Sequence, residues 1–223
     1  MKATLFSYLS NANIDWAICG GDAIDMFVGH KTRDHKDIDI AVFWDQRDRL
    51  LTYLLQGEWR IFEPENGLLR EVTCIDDDFK RSDNLWCISK RTTAYEITSK
   101  YNNFFHITTS RKHQDSLDFM EFLFNKRVDN QFVYKRNSNI KHDNAILHDN
   151  SGIPYLAPEL VLLYKSIFVR YIDSNLPSEE DMVNCYRHDF NVTFPLLNSK
   201  QKLWLASALK STYPKGHEWL DIL

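Results

Sequence analysis

A Gly-Gly pair followed by two closely spaced aspartates constrains this chain more than any other feature of its sequence. Residues 14–19 form a strand-like run that Gly20-Gly21 ends, and residues 23–28 are apolar at helical spacing. Asp37-Ile38-Asp39 then opens a second strand-like run, in which polar and β-branched residues alternate. The order of strand, Gly-Gly turn, helix and strand predicts that the chain begins with a β-α-β arrangement.

The aspartates and the glycines are suited to bind a polyphosphate together with its metal ion. Asp37 and Asp39 are two residues apart on a strand, so both carboxylates leave the same face. Two adjacent carboxylates repel each other unless a cation lies between them, and hard oxygen ligands suit Mg²⁺. A Gly-Gly turn before a helix exposes backbone N–H groups, which bind phosphate oxygens. Each feature alone is common, as a solvated strand end or an ordinary turn, but the joint arrangement is rare.

The remainder of the chain divides into a strand-rich and a helical part. Short strand-like runs alternate with polar loops over residues 59–134, and residues 117–124 are nearly all apolar, as in a strand buried on both faces. The polar segment 135–151 is the best candidate for a domain boundary. The sequence therefore predicts an α/β or α+β catalytic domain over residues 1–150 and a small helical domain over residues 151–223.

Several residues are typical of helix ends. Asp45 is positioned to cap a helix that carries leucines on one face and closes at Gly57. Pro158 stands at an N1-like position before an apolar helical run, residues 178–181 resemble a capping box, and Ser199 is positioned to cap the last helix. These signals predict one helix after the second strand and three in the C-terminal part.

Composition and charge exclude several classes of protein. Hydrophobic residues make up 43% of the 223 residues, with only 7 Gly and 6 Pro, which argues against disordered and collagen-like chains. Acidic residues exceed basic ones, 31 to 27. Because the composition carries no excess of positive charge, generic electrostatic binding to nucleic acid is disfavoured.

The cysteines and the apolar tracts indicate the compartment. The four cysteines lack Cys-x-x-Cys spacing, which predicts reduced, mostly buried thiols in a cytosolic protein. No signal peptide or membrane span is visible, and the longest apolar tract, residues 155–171, contains Glu159, Lys165 and Arg170. We therefore expect a cytoplasmic protein without a membrane partner.

Residues 20–25 and 29–40, which contain the glycine and aspartate pairs, resemble the signature of the aminoglycoside 2''-adenylyltransferase-like group. This group belongs to the nucleotidyltransferase (DNA polymerase β-like) superfamily. The resemblance touches nearly the whole chain except residues 57–114, and its further blocks are residues 132–136, 152–160, 163–165, 204–205 and 216–220. It implies a nucleotidyltransferase-fold mixed sheet with flanking helices, followed by the small helical domain.

The resemblance also implies an activity. It is the Mg²⁺-dependent transfer of a nucleoside monophosphate, expected to be AMP from ATP, to a hydroxyl of a small acceptor such as an aminoglycoside-like antibiotic, with release of pyrophosphate. Two Mg²⁺ ions are expected, held by Asp37, Asp39 and a third carboxylate. Two alternatives are a toxin-like nucleotidyltransferase that modifies RNA or protein, and a catalytically silent nucleotide-binding module with a regulatory role.

Two residues compete for the position of the third carboxylate. Asp118 and Glu121 lie on opposite faces of one strand-like run, so both cannot point into a single site. The spacing to the aromatic run at Phe132 that the resemblance implies selects Glu121. The other acid is then a charge near the end of the strand.

The resemblance further implies that Gly20, Gly21, Arg33 and Lys165 bind the nucleotide. Alternatively, Lys165 extends along an apolar helix to solvent, and Arg33 pins its loop to an acidic residue. His35 is expected to be a structural hydrogen-bonding residue rather than a base. Asp22 departs from the family pattern, since an acid beside a phosphate site repels phosphate unless it faces a cation or caps the helix.

An acidic run at residues 76–78 has two interpretations. It is expected to be a solvated loop, and its alternative role is to attract a polycationic acceptor such as an aminoglycoside.

Overall fold

The protein was analysed as a computed structural model that describes residues 1–35, 37–75, 82–101, 103–109, 117–166 and 177–222, with side chains of the last range from residue 181. The α-helices are α1 Lys2–Leu9, α2 Gly20–Val28, α3 Arg47–Leu55, α4 Pro158–Lys165, α5 Pro177–Thr193 and α6 Ser199–Thr212. Short 3₁₀ helices cover Trp44–Gln46, Phe194–Leu196 and Glu218–Asp221.

The strands lie mainly in the first two thirds of the chain. They are β1 Trp16–Ile18, β2 Asp39–Phe43, β3 Trp59–Glu65, β4 Leu68–Glu71, β5 Asn84–Ser89, β6 Tyr95–Tyr101, β7 Phe104–Thr109, β8 Phe119–Val128, β9 Gln131–Val133, β10 Lys141–His142, β11 Ile146–His148 and β12 Pro154–Leu156. The predicted β-α-β opening is present, and a helix follows it.

The chain forms two compact units. The first contains Met1–Ile18 and Lys36–Lys126, and the second contains Cys19–His35 and Arg127–Leu223. These units divide the chain at other positions than residue 150. The predicted boundary there, between a catalytic and a helical domain, stays a prediction.

The first unit is built on a mixed sheet with the strand order β1-β2-β8-β5-β3-β4-β7-β6. β2 and β8 are parallel, and every other neighbouring pair in this order is antiparallel. A strand that is paired on both sides and covered on both faces is expected to be apolar. The first part of β8 fits this expectation apart from Glu121, since Phe119, Met120, Phe122 and Phe124 are buried, as the sequence predicts for this run.

One face of this sheet carries an aromatic cluster. Phe62, Leu69, Ile88 and Phe119 are buried there, and Trp86, Tyr95 and Phe105 pack against them. Tyr95 of β6 stacks on Phe119 of β8, with ring centroids 5.6 Å apart, although four strands separate β6 and β8 in the sheet order. The sheet therefore curls towards this face, as a strongly twisted antiparallel sheet does.

The second unit is mainly helical. α2, α4, α5 and α6 pack together, and two short antiparallel pairs, β9–β10 and β11–β12, belong to the same unit. Its core includes Leu160, Leu163 and Leu209, all fully buried. Phe190 stacks on Trp219 with ring centroids 4.2 Å apart, which joins α5 to the C-terminal 3₁₀ turn.

Two predicted helix caps are wrong. Asp45 lies inside the 3₁₀ turn Trp44–Gln46, and α3 begins after Gln46 without a side-chain cap. α6 is capped by Asn198 rather than Ser199, because Asn198 and Gln201 form a reciprocal capping box. Gly29 ends α2 in a left-handed conformation, with a φ of 87°.

Other sequence predictions have mixed outcomes. Pro158 opens α4 as predicted, whereas the acidic run at residues 76–78 and the side chains of 178–180 lie outside the described residues. The four cysteines are free thiols, but only Cys19 and Cys87 are buried, whereas Cys74 is exposed and Cys185 is partly buried. Within the described residues, no helix combines the length and apolar character that crossing a membrane would require.

Candidate active site

A row of paired residues places two acidic side chains on the aromatic face of the sheet. Asp39 of β2 is the register partner of Glu121 of β8, and Glu121 is the partner of Trp86 of β5. Trp86 is in turn the partner of Phe62 of β3. Directly opposed residues of neighbouring strands have their side chains on the same face. Asp39 and Glu121 therefore share a face with the aromatic cluster.

Asp37 joins these two residues to form an acidic cluster, defined here as Asp37, Asp39 and Glu121. One carboxylate oxygen from each residue lies within 4.8 Å of the other two. Asp37 is exposed, whereas Asp39 and Glu121 are partly buried. The carboxylate competing with Glu121, Asp118, precedes β8 and is not a member of this group. The structure thus brings together the three carboxylates that the sequence and the resemblance select.

The Glu121 carboxylate is held in position by two donors on β5. The Asn84 amide and the Trp86 indole N–H both donate to Glu121 Oε1, at 2.7 Å and 3.1 Å. Burial raises the pKa of Glu121, the two hydrogen bonds oppose this effect, and the nearby Asp37 charge adds to it; the net pKa is above the usual value. The geometry orients this carboxylate towards Asp37 and Asp39.

The acidic cluster has the donor set that a hard divalent cation requires. Three carboxylates at this separation repel one another, and a cation between them removes the repulsion. Oxygen ligands with room for water and substrate oxygens suit Mg²⁺ in particular. The residues present therefore fit the metal that the resemblance implies.

The two predicted nucleotide-binding glycines lie at the start of α2, in the second unit. Gly20 has a φ of 65°, a left-handed conformation that favours glycine. A Cβ atom on Gly21 would lie 2.3 Å from His35 Nδ1 and 2.7 Å from Arg33 Nη2. The first turn of α2 is thus packed closely against the loop that follows the helix, and both glycines are required for local steric reasons.

The same loop is fastened to α2 by Asp25. Asp25 Oδ1 accepts hydrogen bonds from the Thr32 backbone N–H and hydroxyl, at 2.8 Å and 2.7 Å, and Oδ2 lies 2.7 Å from His35 Nε2. Burial by itself raises the pKa of Asp25, but these hydrogen bonds outweigh it and the net pKa is lowered. His35 is thus a structural hydrogen-bonding residue here, as predicted, and the adjacent Asp22 is buried beside it.

The two predicted phosphate-binding cations of the second unit share one carboxylate. Arg33 donates to both oxygens of Asp189, each at 2.9 Å, and Lys165 Nζ lies 2.7 Å from Asp189 Oδ2. Burial would raise the pKa of Asp189, but Arg33 and Lys165 outweigh it and hold the pKa below its usual value. The three groups together carry one excess positive charge. Both alternatives for Arg33, a loop pin and a phosphate ligand, are compatible with this arrangement.

We expect Gly21→Ala to destabilise the protein by about 1–3 kcal/mol, since the added methyl group overlaps the His35 ring. The free energy of unfolding, measured by urea denaturation, checks this. His35→Ala removes the overlap with the ring and leaves the Arg33 contact, so the double variant should lose less stability than the sum of the two single variants. Wild-type stability of Gly21→Ala would contradict the packing described for this turn.

The sequence did not predict the residues that hydrogen-bond or pair with the predicted site residues and hold them in place. Asn84 and Trp86 alternate along β5, a period-2 signal that places them on one face, but their strand lies in the region where the family resemblance is weakest. Asp189 is completely buried next to Phe190 on α5. An acid adjacent to the apolar side of a helix is a sign of a buried partner, although the sequence does not identify that partner.

Comparisons with known proteins give a family model and several solved structures that are similar to this chain. Residues 3–60 match the family model described as aminoglycoside-2''-adenylyltransferase. The solution structure of the antibiotic-resistance factor ANT(2'')-Ia is similar at a TM-score of 0.52 and 14% identity, covering 96% of this chain and 95% of that one. No curated protein matches the sequence.

Two further solved structures are similar at lower scores. The crystal structure of ANT(2'')-Ia in complex with adenylyl-2''-tobramycin matches at a TM-score of 0.49 and 13% identity, covering 95% of both chains. The lincomycin-bound lincosamide antibiotic adenylyltransferase LnuA matches at 0.47 and 11%, covering 83% of this chain and 93% of that one. The predicted nucleotidyltransferase fold is confirmed. The chain is thus similar to the aminoglycoside-2''-adenylyltransferases in the sequence of residues 3–60, and it is a nucleotidyltransferase, the class of enzyme that the sequence predicts.

Proposed function

We propose that this protein is a Mg²⁺-dependent adenylyltransferase that transfers AMP from ATP to a hydroxyl of a small acceptor, with an antibiotic as the candidate acceptor. The observation that carries the proposal is the acidic cluster: three carboxylates with ligand atoms within 4.8 Å of one another. The family match over residues 3–60, which include Asp37 and Asp39, supports it.

In the proposed reaction an acceptor hydroxyl oxygen forms a bond to the α-phosphorus of ATP. The bond from that phosphorus to the oxygen bridging to the β-phosphate breaks, pyrophosphate leaves with the bonding electron pair, and the hydroxyl proton is released to water. Asp37, Asp39 and Glu121 would hold Mg²⁺, which when bound neutralises charge on the phosphates. Asn84 and Trp86 keep Glu121 oriented for this role.

The assignment of nucleotide-binding residues is part of the same proposal. Gly20 and Gly21 would offer the backbone N–H groups at the start of α2. Arg33 and Lys165 would contact phosphate oxygens, and what supports this is the excess positive charge that they retain after pairing with Asp189. Titration of each single variant with ATP, with the Kd as the readout, tests these four residues individually.

Pyrophosphate release tests the reaction itself. With ATP, Mg²⁺ and a panel of hydroxylated antibiotics that includes tobramycin and lincomycin, we expect pyrophosphate with at least one acceptor, together with an adenylylated product found by mass spectrometry. Removal of divalent ions with EDTA should abolish release, and added Mg²⁺ should restore it. Full turnover in the presence of EDTA would show that the acidic cluster does not act through a metal.

The same assay separates the proposal from its alternatives. ATP binding without pyrophosphate for any acceptor would favour the silent regulatory module. Transfer of labelled AMP to RNA or protein rather than to small molecules would favour the toxin-like enzyme.

A further inference from the structure

A cavity of about 390 Å³ lies on the aromatic face of the sheet in the first unit. This volume is in the range of small-molecule binding sites. It is bounded by the β3–β4 hairpin, by β7 and by one residue of β5. The apolar residues that line it are Pro64, Leu68, Leu69, Trp86, Phe105 and Ile107.

Trp86 connects this cavity to the acidic cluster. Its side chain lines the cavity, and its indole N–H donates to Glu121 Oε1 at 3.1 Å. The register row described above places Trp86 on the same face as Glu121 and Asp39. A molecule in contact with the Trp86 ring is therefore adjacent to a residue that touches a carboxylate of the cluster.

Among the described residues near the cavity, several acidic side chains lie beside arginines. Glu65, which lines it, is 3.6 Å from Arg70, and Arg70 also pairs with Glu63. Arg60 binds Glu71 through two hydrogen bonds, at 2.7 Å and 2.8 Å.

Arg60 also extends the aromatic wall. Its guanidinium lies 5.0 Å from the centroid of the Phe105 ring. A molecule with several ammonium groups needs several carboxylates, whereas the described lining of this cavity is mainly aromatic and aliphatic and contains one carboxylate, Glu65.

We infer that this cavity binds the acceptor, and that the acceptor is a hydroxylated molecule with an apolar ring or alkyl portion and at most one positive charge, rather than a polycation. The inference rests on the proposed function, because it takes the bound molecule to be the substrate that receives AMP. Trp86 and Phe105 bind the apolar portion by stacking and burial. The hydroxyl then lies on the face of the sheet that carries Glu121.

Calorimetry tests the inference with two probes, lincomycin as a singly charged hydroxylated compound with an alkyl substituent, and tobramycin as a polycation. We expect lincomycin to bind more tightly than tobramycin by about 10-fold or more. Phe105→Ala should weaken lincomycin binding by about 10-fold, the effect of losing one stacked aromatic contact.

A second variant guards against a folding defect in Phe105→Ala. Leu68→Asp places a charge beside the hairpin turn, and it should weaken lincomycin and strengthen tobramycin. The matched control is Leu203→Asp on α6, where the leucine is 72% exposed, and it should change neither affinity.

The outcomes for the cavity and for the proposed function are distinguishable. Lincomycin binding that Phe105→Ala and Leu68→Asp weaken supports the cavity even if pyrophosphate is never released, which would defeat only the proposed function. Absence of lincomycin binding, or unchanged binding in both cavity variants, overturns the inference. Pyrophosphate release with tobramycin that neither variant alters overturns it as well, while leaving the proposed function intact.

Discussion

Asp39→Asn is expected to reduce pyrophosphate release by about 10³-fold or more, while the protein stays folded. The variant removes one of three carboxylate ligands, and metal-supplied charge stabilisation is worth several kcal/mol. Asp39 lies next to Glu121 in parallel register, so its loss leaves the cluster with one fewer charge rather than with a changed fold. The measurement is the initial rate of release under saturating ATP and Mg²⁺, together with the thermal unfolding curve.

Two further variants decide which acid completes the cluster. Glu121→Gln retains an acceptor oxygen for the Asn84 and Trp86 donors but loses the charge, so a large loss of activity at unchanged stability is expected. Asp118→Asn is the matched control on the same segment and should keep most of the activity. If Asp118→Asn is the inactive variant and Glu121→Gln is active, the third ligand is misassigned. If Asp39→Asn turns over normally, the proposed mechanism is wrong.

Asp189→Asn is expected to cost about 3–5 kcal/mol of stability, the usual effect of removing one partner from a buried ion pair. Asp189 is fully buried, and its carboxylate is the counter-ion that Arg33 and Lys165 share. The substitution preserves the size of the side chain but leaves two largely buried cations without their counter-ion. The midpoint of urea denaturation measures the change.

The control for this variant is another acid on the same helix. Asp181 is exposed on α5, and Asp181→Asn should shift the midpoint little. If the two substitutions shift the midpoint equally, the ion pairs of Asp189 with Arg33 and Lys165 do not stabilise the protein. Because Arg33 and Lys165 are also the proposed phosphate ligands, the Kd for ATP should change in Asp189→Asn and not in Asp181→Asn.

The sign of the pH dependence follows from the lowered pKa of Asp189. Its unfolded-state pKa is near the ordinary value of 3.8, and its folded-state pKa is lower. The stabilisation is therefore complete above the unfolded value and is lost as the pH falls through the folded value. The Asp189→Asn variant lacks this carboxyl group, so its free energy of unfolding should fall less than that of the wild type when the pH is lowered through this range.

Local patterns were sufficient for the elements around the acidic cluster. The apolar run of β8 and the alternation of β2 predicted two strands. The prediction that Asp37 lies on the strand with Asp39 is wrong, because β2 begins at Asp39, but the Asp37 carboxylate still lies close to those of Asp39 and Glu121. The helix caps were less predictable. Asn198 and Ser199 are adjacent and both are good caps, and the choice between them depended on whether Gln201 could reciprocate.

The hydrogen bonds that hold Glu121 in the acidic cluster depend on strand pairing. Asn84 and Trp86 are more than thirty residues from Glu121 in the chain, and they reach it because β5 is paired with β8. Sequence periodicity gives the face of a strand but not its neighbour. The same limit applies to Asp189, which meets Arg33 across 156 residues.

The sequence by itself determined the β-α-β opening and singled out the glycine pair and the aspartate pair, because these depend on the local residue pattern and on spacing along the chain. It also determined the family resemblance, which the match over residues 3–60 confirms. The residues alone left Asp118 and Glu121 open, the resemblance selected Glu121, and the tertiary structure places Glu121 with Asp37 and Asp39. Only the tertiary structure revealed that Asp189 holds Arg33 and Lys165 together. It also revealed the cavity beside Trp86. These features depend on which strands and helices become neighbours, and that choice is made by the burial of the whole chain rather than by any local segment.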